Sequence, residues 1–258
     1  MKLYMKLLAA YVQARAEYPK NFAVSVIMVL PYQFVTLFIL WGIFVSFDSM
    51  MGWNFYELAV LSAMLQLVTG VANAFFKQFR VMEELIIDGE LDVYLVRPRS
   101  VIFQLAVREV DLISLLGKAL PSLVILIFAL GKLDVHWTAF RFLFLIWTVI
   151  FGSVLFASIF LIIGSLSFFF YRTNEICMTL LYSLQDFVNY PACIYDRGIR
   201  MFISVIFPLA FVNYYPVIFL KTNNYMIVAA MVLIAVIAIA LATLVWRYGL
   251  KHYQSTGS

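Results

Sequence analysis

Charge is what this chain lacks most. Only 12% of its 258 residues are Asp, Glu, Lys or Arg, where a soluble domain carries about a quarter. That shortage excludes a conventional water-soluble globule. Histidine is almost missing too: His136 and His252 are the only two, and in the topology derived below they fall on opposite sides of a membrane. No His-based metal site or catalytic pair is available within one subunit. Cysteine is limited to Cys177 and Cys193, whose 16-residue separation in a single helix would be about 24 Å. A disulfide needs Cα atoms within about 7 Å, so two free thiols are expected. The chain has no Gly-x-x-x-x-Gly-Lys-[Ser/Thr] loop, since Gly117-Lys118 lacks the upstream glycine, so ATP binding by a P-loop of its own is excluded. No nucleophile elbow occurs either, which disfavours a membrane enzyme.

What is abundant is apolar surface. Hydrophobic residues make up 65% of the chain, and stretches long enough to cross a roughly 30 Å hydrocarbon layer recur. Phe22 to Phe47 is the first, with a kink expected at Pro31. A short turn through Gly52, Trp53 and Asn54 leads to the second, Phe55 to Phe76. Polar residues Gln104, Arg108, Glu109 and Asp111 precede the third, Leu112 to Leu130, and Arg108 and Asp111 are spaced to pair on one helix face. The fourth lies within Phe140 to Phe170. The fifth, Ile176 to Tyr190, is short. After it come two apolar pieces, Met201 to Leu209 and Phe211 to Leu220, interrupted at Pro208 and Pro216. Neither is long enough to cross, and a re-entrant hairpin in the outer half of the membrane fits them better. Tyr225 to Trp246 is the last span, and a polar tail follows.

The expected fold is therefore an all-α polytopic membrane protein. It has six transmembrane helices and short re-entrant helices before the last span, all in one domain over 1–258. Met1 to Tyr18 repeats Leu3, Leu7, Tyr11, Ala14 and Tyr18 at three- and four-residue steps, which reads as an amphipathic interfacial helix within 1–20 rather than an export signal. Six spans place Lys2, Lys6, Arg15, Lys20, Lys77, Arg80, Arg97, Arg99, Arg108, Arg172, Arg247 and Lys251 inside. Lys132, Arg141, Arg197, Arg200 and Lys221 fall outside, and twelve against five obeys the positive-inside rule. The net charge of +4 follows from this bias and is no nucleic-acid signal.

One long segment breaks the apolar pattern. Between Lys77 and Ser100, five acids fall within ten residues: Glu83, Glu84, Asp88, Glu90 and Asp92. They occupy a cytoplasmic loop, on the face where anionic lipid repels them, so they need water or a basic partner. Acidic runs are commonly plain solvated connectors, which is the alternative here; the interleaved Leu85, Ile86, Leu91, Tyr94 and Leu95 favour docking. Glu90 and Asp92 are expected to flank Leu91 as two prongs around an apolar tip, with Gly89 ending one short helix and Pro98 another.

Gly89-Glu90-Leu91-Asp92 followed by Leu95 and Arg97-Pro98 resembles the cytoplasmic loop of type-two ATP-binding-cassette permeases of about 260 residues and six spans. Gly52-Trp53, the stretch from Phe207 to Pro216, and the ending from Trp246 to Ser258 agree in the same order, so the resemblance covers essentially the whole chain. Asp88 is a departure, standing where the pattern has a basic residue. The resemblance implies a permease subunit of an exporter for a hydrophobic or amphipathic substrate, in a bacterial plasma membrane with both termini cytoplasmic. Its partners would be a cytoplasmic ATPase subunit, which holds the ATP and Mg, and a second permease, identical or paralogous. No cofactor is expected in this chain and no nucleic acid as partner. The loop 77–100 would carry the coupling helix, with Glu83, Glu84, Asp88, Gly89, Glu90, Leu91, Asp92, Arg97 and Pro98 as ATPase-coupling residues. The region 191–220 would form short external helices.

Within the membrane, Gln185, Asp186 and Asn189 form the one polar cluster, which either lines a translocation path or is a buried polar group paired to a neighbouring helix or close to the outer interface. The alternative function is a self-sufficient secondary transporter or channel, but such a protein would show an internal repeat of interrupted helices, and only one interrupted region is found. The topology makes a direct prediction. In intact cells an impermeant thiol reagent should label an engineered cysteine between Lys132 and Trp137 and miss one at Gln254; labelling at Gln254 would reverse the orientation.

Overall fold

The computed structural model describes residues 19–46 and 51–253, and every described segment of regular structure is helical. The expected interfacial helix, except for its last two residues, and the final residues 254–258 lie outside the described residues. Helix α1 spans Pro19–Ser46 and α2 spans Phe55–Arg80. Three short helices follow: α3 (Met82–Ile87), α4 (Glu90–Leu95) and α5 (Val101–Ala106). Helix α6 runs Leu112–Leu130 with a π-helical stretch at Leu115–Ala119, and α7 runs Ala139–Leu166. Helix α8 is Thr173–Val188, α9 is Arg197–Ile206, α10 is Ala210–Thr222 and α11 is Met226–His252.

The sequence explains most of these boundaries. Helix α1 starts on Pro19, where a missing N–H costs nothing, and continues through Pro31; the expected kink does not interrupt it. Asn54 opens α2 with a capping box, its side chain accepting from Glu57 N at 2.9 Å while Glu57 accepts from Asn54 N at 3.0 Å. Asp111 caps α6 by accepting from the backbone of Ile113 and Ser114. Since α5 ends at Ala106, residues 107–111 are a loop, so Arg108 and Asp111 do not share a helix face. Arg108 instead pairs with Glu90, and Asp111 with Lys77. Helix α10 also passes through Pro216, and only the Phe207–Leu209 link interrupts the hairpin. At the other end, α11 extends to His252, where a polar tail was expected after Trp246.

Helix α2 is the central post, packed against α7, α6, α10 and α1. Its Leu58, Leu61, Met64, Leu65 and Val68 are buried, as are Phe151, Phe156 and Phe160 of α7. In lipid this association draws on close van der Waals fit rather than on water exclusion, and small residues provide it. A Cβ on Gly164 would collide with the carbonyl oxygen of Phe79, and one on Gly70 would lie 2.7 Å from Ala119 N. Hydroxyls buried in α7 are satisfied along the helix: Thr148, Ser153, Ser158 and Ser165 each donate to the carbonyl four residues back. Phe38 of α1 and Leu233 and Leu244 of α11 are exposed, as lipid-facing residues are.

Side-chain contacts fix the two ends of the bundle. At one end Lys221 pairs with Glu57 at 2.8 Å and lies 5.0 Å above the Trp53 ring, which stacks on Tyr214. At the other, Tyr253 donates to Asp92 at 3.0 Å, joining the end of α11 to the acidic loop. Five helices are long and apolar enough to cross a membrane: α1, α2, α6, α7 and α11. Counting the bent pair α9–α10 as one span would make six; helix α8 has 16 residues, about 24 Å, and its contacts described below reach both ends of the bundle. Helices α9 and α10 bend 106° relative to each other. Such a bend suits either a broken span or a re-entrant loop, and the pair runs from just beyond α8 to Lys221, beside Trp53.

The α2–α7 contact generates a stability test. Gly164→Leu should destabilise the purified protein by about 1–3 kcal/mol through overpacking, read as an earlier thermal unfolding midpoint in detergent. Gly42→Ala, with nothing within 4 Å of the new Cβ, should leave that midpoint in place.

Candidate functional site

The acidic loop folds as a helix–turn–helix. Gly89 takes a left-handed φ of +70° between α3 and α4, a conformation that glycine reaches without strain. Met82 and Leu85 of α3 and Leu91 of α4 turn inward, and Leu91 is fully buried. Tyr94, one helical turn further on, is partly buried against the same core. The expected apolar tip at Leu91 is therefore corrected: neighbouring positions on a helix diverge by about 100°, so two flanking acids do not present the residue between them. Glu90 instead reaches Arg108 at 3.1 Å, and Asp92 accepts the Tyr253 hydroxyl. Burial, the hydrogen bond to Asp92 and the Asp92 charge hold the Tyr253 phenol above its ordinary pKa, keeping its proton available for that bond. The outward surface includes Glu84, Ile87, Asp88, Glu90, Val93, Leu95, Val96, Arg97 and Pro98, with Ile87 52% and Val96 84% exposed.

Glu83 has a different task. Its carboxylate accepts from the backbone N–H of Arg172 at 2.6 Å and of Asn174 at 3.0 Å. Helix α8 begins there, with Arg172 at φ +59° and no cap from its own side chain. A remote acid thus occupies the site that an N-cap residue normally fills, where the helix dipole favours negative charge. At the far end of α8 the fully buried Asn213 donates Nδ2 to the Val188 carbonyl at 2.5 Å, and the Tyr195 hydroxyl donates to the Phe187 carbonyl at 2.7 Å. The loop holds one end of α8, and the segment from Tyr195 through α10 holds the other.

Along α8 runs an exposed polar stripe: Glu175, Thr179, Tyr182, Ser183 and Asp186. These positions recur every three or four residues, so they share one face. Only Asp186 of this stripe was singled out from the sequence; the three- and four-residue spacing was the signal for the rest. Thr179 and Ser183 satisfy their hydroxyl protons on carbonyls four residues back. Gln185 and Asp186 line a cavity of about 330 Å³ together with Gln33 of α1, Lys118 of α6 and Tyr182. Asn189 is not among its walls; it is buried, with Oδ1 lacking a hydrogen-bond partner. A larger groove of about 710 Å³ between α7, α8, α11 and the hairpin is lined almost wholly by apolar side chains, so it offers few groups for recognising a polar ligand. Among the described residues no group of three or more His, Cys, Asp or Glu is arranged to hold a metal ion.

The family model described as ABC-2 family transporter protein matches residues 30–257. No curated protein and no solved structure matches.

The two ties on α8 predict separable effects. Glu83→Ala removes a helix cap and should cost about 0.5–2 kcal/mol. Asn213→Leu strands a buried carbonyl and should cost about 1–3 kcal/mol. Hydrogen exchange should show fraying at residues 173–176 for the first variant and at 185–188 for the second. Uniform loss of protection throughout α8 in both would mean that the ties do not act locally.

Proposed function

This chain belongs to the ABC-2 family of transporter proteins, and on that premise we propose that it is the membrane subunit of an ATP-driven exporter. A separate cytoplasmic ATPase hydrolyses the nucleotide, a second permease completes the path, and the cargo is hydrophobic or amphipathic. The observation that carries this reading is the polar face of α8. A carboxylate exposed on a membrane helix is costly in lipid, where such groups face a bundle interior or a water-filled cavity. Asp186 is exposed in the single subunit. Packing of two subunits with their α8 stripes turned inward places Asp186, Ser183, Thr179 and Glu175 along a hydrated route from the inner end of the bundle outward.

Coupling runs through the segment 77–100. Its outward residues Glu84, Asp88, Arg97 and Pro98 dock the ATPase, with Ile87 and Val96 as the apolar anchors. Glu83, Gly89, Glu90, Leu91 and Asp92 give the loop its shape. Movement of the docked loop reaches α8 through Glu83, and α8 passes it through Asn213 to the re-entrant hairpin at the outer end. No nucleotide chemistry is assigned to this chain.

The test separates docking from folding. Ile87→Asp with Val96→Asp should leave a monodisperse permease that no longer co-purifies with its ATPase, since each buried anchor contributes about 1.5–3 kcal/mol. Leu91→Asp should instead disrupt the loop itself and lower the unfolding midpoint. Asp186→Asn should retain the ATPase and slow transport. Wild-type ATPase retention by the double variant, together with wild-type transport by Asp186→Asn, would reject this assignment.

A further inference from the structure

The cavity beside Asp186 contains groups whose bonding is incomplete. Gln33 is 4% exposed; its Nε2 donates to the Lys118 carbonyl at 2.7 Å, which fixes the amide orientation and leaves Oε1 buried without a partner. Lys118 lies in the π-helical stretch of α6, within the membrane, and makes no ion pair among the described residues. Charged side chains at such depth are ordinarily paired, and a buried acceptor left unpaired is rare. Tyr182 accepts a hydrogen bond from Arg80 at 3.3 Å, so its own O–H remains able to donate. Asp186 is already engaged, but a carboxylate accepts about four hydrogen bonds and has capacity beyond one partner. The walls therefore present an ammonium and a phenol as donors, and a carboxylate and an amide oxygen as acceptors. A volume of about 330 Å³ lies at the small end of ligand pockets, roughly 300–1,000 Å³.

A ligand carrying one sign of charge would satisfy half of these groups and repel the other half. We propose that this cavity takes the zwitterionic headgroup of an amphiphile, with its anionic group, a phosphate or carboxylate, on Lys118 and Tyr182. Its N–H or O–H donors then lie on Asp186 and Gln33 Oε1. The apolar remainder lies along Met28 and Val29, which complete the wall on α1. The inference rests on the exporter reading for its meaning as a substrate class, while its test needs neither the ATPase nor transport.

The full-length protein, purified in a neutral maltoside detergent, is unfolded thermally at increasing concentrations of three probes. These are lysophosphatidylethanolamine, which carries both charges, dodecyl phosphate, with the anion alone, and dodecylamine, with the cation alone. A ligand that binds the native state raises the midpoint, and the zwitterion should do so at the lowest concentration. Lys118→Met should require about tenfold or more of either phosphate-bearing probe, the scale of a lost charge-assisted hydrogen bond, while still responding to dodecylamine. Asp186→Asn should do the reverse, and Lys118→Arg should retain the wild-type order. Replacing an intramembrane ammonium that has no ion pair among the described residues with an apolar side chain of similar length does not endanger the fold, and the opposite response of Asp186→Asn provides an independent reading. Phosphorus content after delipidation distinguishes the sources. Lipid retained by wild type and lost in Lys118→Met assigns the headgroup to a membrane phospholipid; equal content with the probe response intact assigns it to another zwitterionic amphiphile. If the three probes act alike on wild type and both variants, or if Lys118→Met weakens self-association while no probe moves the midpoint, the proposal is overturned. The second result would give Lys118 to a subunit contact.

Discussion

A helix end inside or beside a membrane must have its free N–H and carbonyl groups satisfied by protein, because lipid offers them nothing. In this chain that constraint falls hardest on α8. At 16 residues it is shorter than any of the five long apolar helices, and its first turn has no cap from its own N-cap side chain. Glu83 from the acidic loop and Asn213 from the α9–α10 hairpin take over at its two ends. The short helix is tolerated because its neighbours complete it. The same contacts join the loop, the crossing and the hairpin into one connected unit.

That unit is held against a stiff support. Helices α2 and α7 meet with backbone against backbone at Gly164 and Phe79, and α2 meets α6 at Gly70 and Ala119. Interfaces of this kind deform little, since small changes in volume are felt directly. Phe79 is followed at once by Arg80 and the acidic loop, so the loop emerges directly from this close contact. The opposite end of the bundle is braced by different chemistry. There Trp53 lies between Tyr214 and Lys221, and Lys221 also pairs with Glu57. Arg141 adds a further brace by donating to Asn223 and to the His136 carbonyl.

The acids of the loop divide by task once their partners are known. Glu83 caps α8, Glu90 binds Arg108 and Asp92 binds Tyr253. Glu84 and Asp88 lie on the exposed side, and Glu90 is exposed there too despite its pairing. A run that resembles a single acidic patch in sequence is thus partly an internal scaffold and partly a surface. Intramembrane polarity divides in a similar way: Gln185 and Asp186 meet Gln33 and Lys118 at one cavity, while Asn189 is buried elsewhere.

The all-helical membrane fold was legible from composition and apolar run length, because a bilayer admits few alternatives. The five long crossings follow from stretches of about 20 apolar residues, and α8 and the hairpin were legible as a short helix followed by interrupted pieces. Charge asymmetry between loops supplied an expected orientation. Local chemistry also marked the turns at Gly52, Gly89 and Pro208. What the sequence could not determine was where Leu91 points, since alternation with two acids is equally compatible with a tip or a buried anchor. Only packing against the bundle turned it inward and left Ile87 and Val96 outside. Contacts between distant positions were likewise beyond its reach. Glu83 is 89 residues from Arg172, Gln33 is 85 from Lys118, and Asp92 is 161 from Tyr253. Such pairs are made by the way helices pack, and no local pattern of spacing or propensity encodes them.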